Sequence, residues 1–228
     1  MTWAADRRRI LQRVADIKRR HDEVIERGLV AQAVLHFGRA PSCPLCLGPY
    51  YCCRMLVTVT LVDALVIAEH LAMLSDTALE ARLREQAERQ LACARQDAWF
   101  DRDEMCAFKG PSGCSIYSIR PLPCRTHHAW TDPSWCDGHV GKKLITTSPG
   151  APVQVEVLVQ AWRVEQQILG LQRRVPYLGL LPDAVLLGLD AIRSCTPHRF
   201  VRVLTEATTL EKKEDGHLAP LGTVEQTP

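Results

Sequence analysis

The sequence has no apolar run of the roughly 20 residues a membrane-spanning helix needs, and its start, MTWAADRRRILQRV, has no core of signal-peptide length. A cytoplasmic protein with no membrane partner is the expectation. It also lacks charge of one sign. The 28 Lys and Arg against 26 Asp and Glu leave a net charge of +2, so no global field draws the chain to nucleic acid, and none is expected as a partner. The common catalytic signatures are missing as well: there is no nucleophile elbow, phosphate loop, dinucleotide fingerprint or HExxH helix, and no internal repeat.

What the chain does have is cysteine. Eight of its 10 cysteines fall in two short stretches, Cys43 to Cys53 (CPLCLGPYYCC) and Cys106 to Cys136. They are spaced by Pro, Gly and polar turn residues, which gives soft thiolate ligands on backbone that can bend around an ion. A reducing compartment disfavours disulfides, so this clustering points to metal. Cys43-x-x-Cys46 is a knuckle spacing that lets two sulfurs reach one ion. In Cys52-Cys53 adjacent side chains of an extended chain point apart, so either two neighbouring sites or one ligand and one packed thiol is implied. The candidate metal ligands are Cys43, Cys46, Cys52, Cys53, Cys106, Cys114, Cys124 and Cys136. Cys93, inside a helical pattern, is read as a packed apolar thiol and Cys195 as a bystander. His127, His128 and His139 are further imidazole donors in the same stretch.

Around the cysteines the chain reads as helix. Ile10, Val14, Ile17, His21 and Val24 recur at spacings of three and four in a first helical segment to about Phe37, which Gly28 is expected to divide. Its basic residues, Lys18 among them, are interleaved with acids and read as a solvated face. Residues 55–60 read as a short strand, and Thr60 to Asp63 as a capping box opening a helix to about Leu74. Thr77 to Glu80 is a second capping box, for a helix to Trp99. Helices follow over 153–171 and 183–194. The expected fold is mainly α, a helical domain with a loop-built cysteine-rich metal centre and little or no sheet. Its parts are an N-terminal helical segment (1–40), a cysteine-cluster domain (41–147), C-terminal helices packing on the same core (148–207) and a flexible tail (208–228).

Cys106-Ala-Phe108, Gly113-Cys114-Ser-Ile-Tyr117 and Arg120-Pro121-x-x-Cys124-Arg125, preceded by CxxC, CC and the VTVTLVD helix entry, resemble the YkgJ-type cysteine-cluster family. That family is described as a zinc- or iron-chelating domain. Its cysteine core is similar to that of flagellin lysine N-methylases, which implies an iron–sulfur cluster and a protein or peptide substrate. This sequence departs from the family in placing five residues between Cys46 and Cys52. Iron or an iron–sulfur cluster is the expected cofactor, with zinc as the alternative; a structural zinc module and metal storage or delivery are the competing functions. Four thiolates leave either centre with a net charge of about −2, so nearby cations lower the cost of its burial. Arg120 and Arg125 are candidates for that role, or for pairing with Asp101, Asp103 or Glu104; Tyr117 and Phe108 would cover the centre from water. With few periodic apolar residues, the segment from Cys106 is expected to owe its order to ligation.

Overall fold

The computed structural model describes residues 2–35, 51–93, 96–129, 146–147, 151–213 and 217–221. Eight α-helices occur among them, and the strands come as four antiparallel pairs of two or three residues each, so the fold is mainly helical.

The centre is α2 (Leu61–Leu74), which is apolar on nearly every side and buried on nearly every side, as such a helix must be. Thr60 caps its start by accepting from the Asp63 amide at 3.3 Å. Ser75 ends it in the left-handed conformation, its amide donating to the Leu71 carbonyl. Against α2 lies α7 (Leu181–Ile192), at a distance set by Gly188: a Cβ there would stand 2.9 Å from the Ala68 Cβ. Two short strands align the starts of these helices. Thr58–Val59 (β1) pairs with Gly179–Leu180 (β6), immediately before α2 and α7 respectively.

The other helices wrap this pair. α1 runs unbroken over Trp3–Leu35, through the Gly28 at which the sequence suggests a division. Its buried line is Leu11, Val14, Lys18, His21 and Ile25, one step round from the stripe the apolar spacing suggests, and it takes in a lysine that reads as surface. α3 (Thr77–Cys93) is capped by Asp76, whose carboxylate accepts from the Leu79 amide at 2.9 Å, rather than by Thr77; α4 (Gln96–Phe100) is a separate short helix. α6 spans Ala151–Gln167 and α8 spans Pro197–Thr205, with Trp3 packed edge-on against Phe200 of α8.

Beyond residue 207 the chain is not simply a tail. Leu210–Lys212 (β7) pairs with Leu218–Pro220 (β8), and the Leu210 amide donates to the Leu178 carbonyl. Arg173 holds this region to the end of α8, donating to the carbonyls of Leu204 and Ala207 at 2.6 and 2.7 Å and to the Thr209 hydroxyl at 3.1 Å.

Candidate metal centre

Four cysteines reach one region from separate segments. Cys52 and Cys53 lie in a 3-10 turn, Tyr51–Arg54. The Cys53 carbonyl accepts from the Cys106 amide at 2.7 Å, which ties this turn to the second cysteine stretch. A tight hairpin follows, Lys109–Gly110 (β2) with Gly113–Cys114 (β3), placing Cys114 opposite Lys109. Gly113 has φ of 116°, a conformation that needs glycine. Tyr117–Ile119 forms a further 3-10 turn, and Pro121 then sets the backbone for α5 (Leu122–Thr126), which carries Cys124.

The electrostatics join these segments. Burial raises the Cys106 thiol to about 12 and the Cys124 thiol well above its usual value, and raises Cys114 as well. Cys52 is raised first by its hydrogen bond with Cys53 and then by burial. Cys106, Cys114 and Cys124 each feel the charge of Cys52, and Cys124 also feels Cys106 and Cys114. Cys53 instead bonds to Cys52 through its side chain and to Cys106 through its carbonyl. Of the vicinal pair, Cys52 is the one whose charge acts on the other three thiols. The four act on one another through their charges but are not a preassembled ligand set: among the described residues, no group of three or more His, Cys, Asp or Glu is arranged to hold a metal ion.

Arg120 acts on three of these thiols, and Lys109 on Cys114 as well. The positive charge of Arg120 opposes the upward shift of Cys52, Cys114 and Cys124, and its guanidinium carbon lies 4.1 Å from the Tyr117 ring centroid. Its buried Nε has no hydrogen-bond partner among the described residues. Soft donors and a half-buried cation with an unpaired N–H fit a thiolate-bound metal or cluster of net negative charge. Phe108 is buried, whereas Tyr117 is 42% exposed and covers Arg120.

Arg125 is held by α1 and by the preceding turn. Its Nε stands 2.9 Å from Asp22 of α1, and it donates to the Ser118 carbonyl. The acids near the centre have other partners: Asp103 pairs with Arg54 at 2.6 Å and Glu104 with Arg89 at 2.8 Å. Asp22 also meets Lys18 at 2.5 Å, and Lys18 lies 3.8 Å from Asp63, whose carboxylate accepts from the Leu122 amide at 3.3 Å and from the Thr60 hydroxyl at 3.2 Å. This buried network fixes the start of α5. His21 lies beside it, pushed down to about 4 first by burial and then by the Lys18 ammonium.

Gln86 of α3 is a positioning residue that its sequence context does not announce. Its side chain donates to the Met105 carbonyl at 2.7 Å and accepts from the Ala107 amide at 2.9 Å, gripping the backbone on both sides of Cys106. Cys93 packs half-buried against the Leu56, Trp99 and Leu180 cluster, and Cys195 is exposed. His127 is half-buried and shifted down by burial, and His128 pairs through its backbone with Thr147. Cys43, Cys46, Cys136 and His139 lie outside the described residues. Compared with known proteins, the chain matches no family model, no curated protein and no solved structure.

Proposed function

We propose that the chain is a metalloprotein whose functional unit is a thiolate-bound iron–sulfur cluster, with Cys52, Cys106, Cys114 and Cys124 as ligands. The observation that carries this reading is a set of four half-buried thiols from separate segments whose charges act on one another, three of them also under the charge of Arg120, whose Nε–H has no partner among the described residues. Such a cluster would supply electron transfer or Lewis acidity. The chain's own residues supply a cation that offsets the thiolate charge, a backbone grip on either side of Cys106 and an apolar cover from Phe108. Cys43, Cys46 and Cys136 add donors for a second centre or for exchange. The resemblance to flagellin lysine N-methylases supports a role in modifying a protein or peptide.

The all-thiolate donor set also suits a closed structural zinc site, and one experiment separates the two. Protein purified without oxygen is expected to be brown, with broad absorption at about 400 nm that bleaches with dithionite. Cys114→Ser is expected to lose metal and Cys195→Ser to keep it. A colourless preparation holding zinc, from cells supplied with iron, would give the site to the structural module. Equal metal loss in both variants would remove the ligand assignment altogether.

A further inference from the structure

A groove of about 580 Å³ runs between α1 and α6, with no cysteine among the residues that line it. Its floor is aliphatic, with Ile17 and Val24 from α1 and Val164 and Ile168 from α6 and its end. Its rims carry Arg20 and Arg27 on one side and Arg163 on the other. All three arginines are exposed, and among the described residues none makes an ion pair or hydrogen bond, although acids are plentiful on α1. Elsewhere on the same helix arginine finds a carboxylate, as Arg19 does with Asp16 at 2.6 Å.

We propose that this groove docks an amphipathic acidic helix of a protein partner, its apolar side chains on the aliphatic floor and its carboxylates on the three arginines. The spacing suits a helix. Arg20 and Arg27 are two turns apart, about 10 Å, which matches carboxylates seven residues apart on a partner helix lying along the groove. Arg163 meets a third carboxylate from the opposite rim. Two features favour a peptide over a nucleic acid. The floor has no aromatic ring on which a base could stack. Glu23, on the same rim between Arg20 and Arg27, would repel a continuous run of phosphates, whereas a peptide can set a neutral or basic side chain opposite it.

The test is fluorescence anisotropy of the full-length protein with a labelled synthetic helix of about 20 residues. The peptide carries leucines on one stripe and flanking glutamates seven apart, and its control has lysine in place of each glutamate. The acidic peptide is expected to bind and to weaken with added salt, and the control not to bind. The triple variant Arg20→Gln, Arg27→Gln, Arg163→Gln should lose about tenfold in affinity with its thermal melt unchanged, since all three side chains are exposed. Glu23→Gln should tighten binding, because the one like charge on the rim is gone. Equal binding of both peptides, no binding of either, or an unchanged affinity in the triple variant would overturn the proposal. Arginine-dependent binding of a short single-stranded DNA in place of the acidic peptide would assign the groove to nucleic acid.

Discussion

Lys18 is the most informative residue to remove. It is 3% exposed, it pairs with Asp22, and it is the nearest cation to Asp63, itself 2% exposed. Lys18→Met keeps the chain's length and apolar stem but leaves the buried Asp63 and the half-buried Asp22 to share Arg125, which touches only Asp22 of the two. Breaking a buried pair in this way costs about 3–5 kcal/mol, since the remaining charge is uncompensated. For a chain of this length that corresponds to a fall in melting temperature of about 6–20 °C. The pH dependence follows from sign. Burial already raises the Asp63 carboxyl above its ordinary value, so the folded state holds more protons than the unfolded one, and this group's contribution to stability falls as pH rises through the carboxylate range. Without Lys18 the carboxyl rises further, so the deficit of the variant should be largest at neutral pH and shrink toward pH 4. A double variant with Asp63→Asn removes one charge of each sign, keeps an acceptor for the Leu122 amide and leaves the Asp22–Arg125 pair intact. It should cost less than Lys18→Met alone. Urea melts at pH 4 and pH 7 on the wild type and the two variants measure all of this. A single-variant cost below about 1 kcal/mol at pH 7, or a deficit independent of pH, would refute the reasoning.

Arg120→Gln should lower the reduction potential of the loaded centre by tens of millivolts, because removing a nearby cation disfavours the more negative reduced state; protein-film voltammetry reads it, and an unchanged potential would place Arg120 outside the centre's field. Glu165 is fully buried, accepts from the Tyr177 amide at 2.9 Å, and its carboxyl is pushed up to about 7 by burial. Its raised value means that stability is lost as pH rises from about 4.5 toward 7, so Glu165→Gln should gain on the wild type by about 3 kcal/mol between pH 4 and pH 8. Denaturant midpoints across that range would expose a constant difference, which would sink the assignment.

The helical frame was legible because its signals are local. Thr60 opens α2 as its position before an apolar run suggests, and apolar periodicity places α1, α6 and α7 to within a few residues at most ends. What was illegible depends on partners far along the chain. Lys18 reads as one more cation in a basic helix until Asp63, 45 residues on, is folded against it. Gln86 reads as an ordinary helix former, and its grip on Cys106 exists only once α3 packs beside that loop. The hairpin beyond residue 207 was hidden for a different reason. Its strands are only three residues each, and they are held by the Leu178 carbonyl and Arg173, which no local pattern reveals. Of the site, the clustering of the thiols is visible in the spacing, while the hydrogen bond between Cys52 and Cys53 depends on the turn that holds them.

That turn bears on how the cysteine segment is held. The apolar periodicity from Cys106 to Cys124 is poor, which suggests order supplied by metal alone, yet the backbone there is anchored by protein groups at three points. The Cys106 amide is held by the Cys53 carbonyl, the Ala107 amide by Gln86 and the Leu122 amide by Asp63. Each acceptor is fixed by an element packed on the core or by the neighbouring turn, and none is a sulfur. Metal removal should therefore loosen side chains and the Gly110–Gly113 hairpin tip before it loosens these three amides. Hydrogen exchange on protein with and without metal tests this residue by residue. Ala107 and Leu122 should keep most of their protection in the metal-free protein, and Gln86→Ala should strip it from Ala107 in either form. Full loss of protection at both amides on chelation, with Gln86 intact, would mean that ligation orders the segment and that the anchors form only afterwards.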